Sequence, residues 1–330
     1  MRVLAAVDKF RGTASAAEVA RAIGHACWTL GHDCDEVGVA DGGEGTLEVL
    51  GGANRTSTVT GPLGTPVSAP WRLSRDIAVI EMAMASGLLL AGGAEGNDPL
   101  AATTAGTGEL IDAALDAGVK KIIVCLGGSA TTDGGLGALR AIHVPQRLRG
   151  VELLVACDVT TAFVAAAEVF APQKGATPAQ VNMLTGRLER LAQMYQQEYG
   201  IDVRGIAGSG AAGGLAGGLV ALGGRLLPGF DLVAEELNLH ERVMAADFVI
   251  TGEGFLDEQS FRGKVVGGMQ AMARSAKREV AAIVGDVEPE VARRIEHISL
   301  VDAFGRDTAM HETQMCIEQA ALQLLRAHES

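Results

Sequence analysis

Short apolar runs alternate with stretches of helical spacing along much of this 330-residue chain. Val3, Leu4, Ala5, Ala6 and Val7 form an apolar run that predicts a buried strand ending at Asp8. Ser15 and Glu18 then make a capping box, and Val19, Ile23, Ala26 and Leu30 carry the spacing of an amphipathic helix that Gly31 closes. A second strand is predicted up to Val39. After Gly51 and Gly52 the texture changes. Residues 56–83 hold β-rich runs separated by Gly61, Pro62 and Gly64 and by Ser74, Arg75 and Asp76, which predicts a three-strand meander. A helix over 107–117 and strands over 122–126 and 151–156 follow. Thr177, Pro178 and Gln180 open a long helix whose apolar stripe is Val181, Leu184, Leu188, Leu191 and Tyr195.

From Ala246 the strand–helix alternation returns. Strands are predicted over 248–250, 280–284 and 300–304, and helices over 263–277 and 309–327. The first two strands and the last three make one five-stranded parallel sheet if the middle is an insertion. The fold class is therefore α/β with two domains, one formed by 1–53 and 244–330 and enclosing the other, 54–243. The active site is expected in the cleft between the two parts.

Composition narrows the chemistry. With 27 basic and 40 acidic residues the formal charge is −13, which argues against nucleic acid or an anionic membrane as partner. An anionic small molecule then needs a local basic site. The five cysteines lack a C-x-x-C pair, and the seven histidines lack zinc-ligand spacing. Residues 205–224 carry no charge, but nine of the twenty are Gly, so a membrane span is not expected. No basic stretch followed by an apolar one opens the chain, so the expected location is the cytoplasm.

The 44 glycines matter most where they cluster with acids and hydroxyls: ADGGEGT at 40–46, GGSATTDGG at 127–135, GSGAAGG at 208–214 and TGEGFLD at 251–257. Glycine lets backbone N–H groups close on a ligand, and carboxylates among such amides suit a metal beside phosphates. Three of the four follow apolar runs, where open α/β sheets bind ligands. Asp8, Lys9 and Arg11 sit at the same edge. The 208–213 segment matches the dinucleotide fingerprint in letters, which makes an NAD(P)-dependent oxidoreductase of a small hydroxy acid one alternative. A non-catalytic sensor of phosphorylated metabolites is another. No P-loop or protein-kinase signature is present.

Taken in order, these segments resemble the type 1 glycerate kinase family over almost the whole chain. The resemblance runs from VDKFRGTASAAEVA at 7–20 and ADGGEGT through GPLGTPV at 61–67 and ATTAGTGELIDAALDAG at 102–118. It continues with GGSATTDGG, VACDVT at 155–160, PQKGATP at 172–178, GAAGGLAGG at 210–218 and TGEGFLDEQSFRGKVVGG at 251–268. Val7, the stretch Thr161, Ala162 and Phe163, and the short segment from 140 to 151 depart from the family pattern.

The resemblance implies ATP-dependent phosphorylation of D-glycerate to 2- or 3-phosphoglycerate. It also implies a flavodoxin-like domain beside one resembling the restriction-endonuclease core. Phosphoryl transfer needs positioning and charge neutralisation. Lys9 or Arg11 is expected on the glycerate carboxylate, with Gly42, Gly43, Glu44 and Asp158 around the substrate. Gly127, Gly128, Ser129 and Thr131, with Gly252, Glu253 and Lys264, are expected on ATP. Asp133, Asp158 and Glu253 are candidates for Mg²⁺, and Asp41 or Asp133 for orienting or deprotonating the attacking hydroxyl.

Overall fold

The computed structural model describes residues 1–328. Its strands in chain order are β1 (Arg2–Val7), β2 (Asp33–Gly38), β3 (Arg55–Thr60), β4 (Pro66–Ser74), β5 (Ile77–Glu81) and β6 (Lys121–Cys125). The remainder are β7 (Glu152–Ala156), β8 (Arg225–Leu227), β9 (Phe248–Leu256), β10 (Glu279–Val287) and β11 (Glu296–Ser299). Two compact units result. One is Met1–Asp41 together with the chain from Phe230 onward, and the other is Gly42–Gly229.

The first unit holds a parallel sheet in the order β2-β1-β9-β10-β11, the 2-1-3-4-5 arrangement of flavodoxin-like folds. Alternation along β1 turns Val3, Ala5 and Val7 towards a core shared with Ile23, Ile250, Ile283, Ile317 and Leu325. Helices Ala16–Thr29 and Thr313–His328 cover that face. On the opposite face Val266, from helix Val265–Ser275, meets Ala282, Val284 and Leu256. The Ser15–Glu18 capping box is formed, with Ser15 Oγ accepting from Glu18 N.

The second unit holds a six-stranded mixed sheet in the order β3 to β8. The antiparallel meander is β3-β4-β5, and β5 to β8 run parallel. Ile80, Ile122, Val124 and Val155 pack with Leu110 and Ile111 of helix Ala105–Asp116. Leu184, Leu188 and Tyr195 of helix Pro178–Tyr199 form another cluster with Phe163. No helix among the described residues is long and apolar enough to cross a membrane.

Three predictions from local pattern need correction. The run at 300–304 is a helix, Leu300–Phe304, because Ser299 Oγ accepts from Asp302 N and caps it. The fifth strand is the preceding polar stretch, Glu296–Ser299, an edge strand with one neighbour and so little need for an apolar run. The final helix is split into Arg306–His311 and Thr313–His328, and Thr313 Oγ1 donates to Ala309 O at the break.

The unit boundaries also lie earlier in the chain than 53/54 and 243/244. Buried Glu81 accepts from Gly45 N at 3.0 Å and Leu47 N at 2.7 Å, which ties the 42–53 stretch to β5. At the other end, a Cβ on Gly268 would strike the Phe230 ring, and Arg242 meets Asp35 at 2.7 Å, which ties 230–243 to the parallel sheet.

Candidate active site

In the first unit the acids gather at the carboxyl ends of the parallel strands, where such sheets bind ligands. Asp8 follows β1 and donates its backbone N–H to Gly252 O of β9 at 2.9 Å. Burial and the Asp41 charge raise the Asp8 carboxyl to about 6, against the opposing pull of the Lys9 N–H and the Lys9 and Lys264 charges. Glu253 lies on β9, and burial lifts it to about 7, with Asp8 and Asp257 adding to the rise and Ser260 and Lys264 opposing it. No described residue donates to the buried Oε1 of Glu253. Lys264, at the start of helix Val265–Ser275, has its Nζ 3.8 Å from Asp41 Oδ2. Asp8, Asp41, Glu253 and Lys264 therefore form one electrostatic group.

Arg11 lies apart from this group. It lines a cavity of about 250 Å³ with Phe10, Gly254, Asp286 and Arg306, and Arg306 already donates to Asp286 at 2.6 Å. The glycines of the 251–257 cluster sit inside β9, not in a loop after it. A Cβ on Gly252 would strike Ile283 O, and one on Gly254 would press on the 10–11 backbone, so close strand and loop approach requires both.

In the second unit the other three clusters meet. The ideal Cβ of Gly127 lies 3.5 Å from Gly43 Cα and 3.6 Å from Glu44 N, so the 42–46 turn rests on the turn after β6. A Cβ on Gly42 would strike Gly229 and Ala156, and its φ of 88° suits glycine alone. Gly213 approaches Thr131 O closely, and Gly134 N donates to Gly213 O at 3.0 Å. The 208–214 segment follows a 3₁₀ turn, Val203–Gly205, and no strand leads into it. Its Gly210 amide is taken by Thr161 O, so it lacks the strand-turn-helix setting of a dinucleotide fingerprint.

Asp133 is committed to the protein. Its Oδ2 accepts from Thr104 N and Thr104 Oγ1, each at 2.8 Å, and from Gly137 N at 3.1 Å, while Oδ1 accepts from Gly135 N at 3.0 Å. This carboxylate takes two backbone N–H groups at the start of helix Leu136–Ala141 and fastens the turn to the chain at 104. Four donors on one carboxylate give it a structural task that the letters GGSATTDGG do not reveal. Asp158 lies past β7 and accepts from Gly229 N at 2.8 Å.

The residue that sequence reasoning missed is Lys174. It is 2% exposed, and its Nζ donates to Ser129 Oγ at 2.8 Å and Thr131 O at 2.6 Å. Gly127, Gly128, Ser129, Asp158 and Lys174 line one cavity of about 360 Å³. Burial pushes the Lys174 ammonium down to about 7, opposed by the Asp133 charge. Glu81 and Asp8 also had roles that were not assigned. Each ends an apolar strand with an acid, a signal legible in principle, whereas Lys174 had only its place before Gly175.

Among the described residues no three acids, histidines or cysteines converge to hold a metal ion. Asp133 and Asp158 lie in the second unit and Glu253 in the first. At phosphoryl-transfer sites Mg²⁺ is held by one or two carboxylates plus phosphate oxygens, not by a protein cage. Two crowded acids with a buried oxygen lacking a protein donor fit that requirement.

Residues 3–145 and 142–330 match the model of the Glycerate kinase family. The chain is 39% identical to glycerate 2-kinase of Escherichia coli K12, covering 90% of this chain and 88% of that one. It is also 39% identical to a glycerate kinase of Halalkalibacterium halodurans, covering 97% and 96%. A crystal structure from Salmonella typhimurium LT2, described as glycerate kinase 2, superposes over 100% of both chains with a TM-score of 0.87 at 35% identity. Sequence and fold agree throughout: the chain belongs to the glycerate kinase family.

Proposed function

We propose that this chain transfers the γ-phosphoryl group of ATP to D-glycerate in the cytoplasm, at the 2-hydroxyl in preference to the 3-hydroxyl. The observation that carries the reading is the pair Asp8 and Glu253, acids raised to about 6 and about 7 by burial first, then by repulsion from Asp41 on Asp8 and from Asp8 and Asp257 on Glu253. A divalent cation relieves that repulsion, and ATP brings one with its phosphates. The name of the Escherichia coli relative supports the choice of hydroxyl.

Asp8 and Glu253 would hold Mg²⁺, with Glu253 Oε1 as the oxygen without a protein donor. When bound, the ion would neutralise charge building on the transferring phosphoryl group. Asp41 accepts the proton of the attacking hydroxyl, with Lys264 Nζ standing 3.8 Å from its Oδ2. Lys9, beside Asp8, takes the glycerate carboxylate, since Arg11 faces the separate cavity with Asp286. The 127–129 turn offers amides to an oxyanion. Asp133 positions that turn and takes no proton.

Coupling turnover of ATP and D-glycerate to enolase tests the reading. Signal without added phosphoglycerate mutase is expected and means 2-phosphoglycerate. Signal only with the mutase would move the phosphate to the 3-position, and absence of ADP formation would overturn the kinase reading.

A further inference from the structure

We propose that Lys174 is the oxyanion receptor of the second unit, its ammonium taking a phosphate or carboxylate oxygen in the cavity beside the 127–129 turn. An ammonium has three donors, and Lys174 uses two of them, on Ser129 Oγ and Thr131 O. Among the described residues the third has no acceptor, and no carboxylate stands within ion-pair distance. A buried cation without a counter-ion is costly, and an anion entering this cavity removes that cost. Holding Ser129 and Thr131 together would need only a neutral donor.

The backbone presents the lysine rigidly. Asn97 Nδ2 donates to Lys174 O at 2.9 Å and to Ala130 O at 3.0 Å, clamping the two loops that face the cavity. Gly175, with φ of 93°, closes the 3₁₀ turn Pro172–Lys174, and a Cβ there would strike Ala94 O. The ionisable groups around Lys174 are Asp133, which favours its charge, and Asp158 and Cys157, which line the same cavity. Burial leaves the amine only partly charged near neutral pH, so binding of an anion is coupled to proton uptake.

The choice of ligands rests on the kinase reading, and the test keeps the two apart. Calorimetric titration of the whole protein without metal at pH 8, in buffers of different ionisation enthalpy, counts protons taken up with ATP, D-glycerate or inorganic phosphate. One ligand is expected to bring in about one proton, and Lys174→Gln to bind it about tenfold more weakly without that uptake. Gln keeps a donor for Ser129 or Thr131, so a purely structural role would leave the proton count unchanged. Loss in the ATP arm identifies a phosphate as the anion, and loss in the glycerate arm a carboxylate. Wild-type affinity and proton count in Lys174→Gln would overturn the proposal while leaving the kinase reading intact. Should the variant fail to fold, absence of proton uptake by the wild-type protein with all three ligands overturns it equally. If ATP and D-glycerate give no turnover, the kinase reading falls. The phosphate titration alone then decides for Lys174, uptake supporting it and no binding or no uptake overturning it.

Discussion

The two units bury charge in opposite ways. The first crowds Asp8, Asp41 and Glu253, and burial with repulsion raises the proton affinity of two of them. The second buries the cation Lys174 and lowers its proton affinity, while its acid Asp133 is satisfied by four protein donors. A crowded acid group invites a cation, and an under-supplied ammonium invites an anion. A carboxylate already holding four donors invites neither. Residue type alone therefore does not mark a site: what distinguishes these acids is how much of their bonding capacity the fold has already used.

The largest effect that would sharpen this contrast is on turnover. Asp8→Asn combined with Glu253→Gln is expected to lower kcat/KM by about 10³-fold or more, from loss of charge stabilisation at the transferring group. The same pair should not lower thermal stability at pH 8. Both carboxyls hold protons more tightly in the folded than in the unfolded chain. Their contribution to stability is therefore fully present below the ordinary carboxylate range and is lost as pH rises through about 6 to 7. Melting temperature against pH should thus fall less steeply over that window in the double variant than in the wild type. A variant that melts earlier at pH 8 yet keeps its turnover would make these acids structural.

Asp133→Ala is the counterpart in the second unit. Removing the acceptor of four donors is expected to cost about 3 kcal/mol of stability by denaturant titration. A variant with wild-type stability and no turnover would return Asp133 to the chemistry. The smallest expected effect is shared by both units, because each begins a helix with the same capping box. Ser15→Ala and Thr177→Ala should each cost about 1 kcal/mol by chemical denaturation, without altering KM for either substrate. Unequal costs well beyond that would show that one cap carries tertiary contacts as well.

Much of this was legible before any coordinates. The capping boxes at Ser15 and Thr177, the β3-β4-β5 meander and the parallel strands of the first unit follow from spacing, turn residues and apolar runs, which act within a few residues. The strand at Glu296–Ser299 was not, because an edge strand can stay polar and leaves the neighbouring apolar run to form a helix. Among candidate residues, Glu253 lies within β9 and not after its end, whereas the position of Asp41 just past β2 was readable. The convergence of the 42–46, 127–135 and 208–214 clusters in one unit was not.

The sequence by itself determined the α/β class, the family and the segments that carry glycines with acids, because periodicity and local motifs are properties of neighbouring residues. Only the tertiary structure decided which of those groups have bonding capacity left. Asp133 spends its oxygens on Thr104, Gly135 and Gly137, one of them 29 residues away. Lys174 reaches Ser129 and Thr131 across 45 and 43 residues and keeps a donor over. Desolvation and hydrogen-bond supply are set by distant parts of the chain, so no window of sequence contains them.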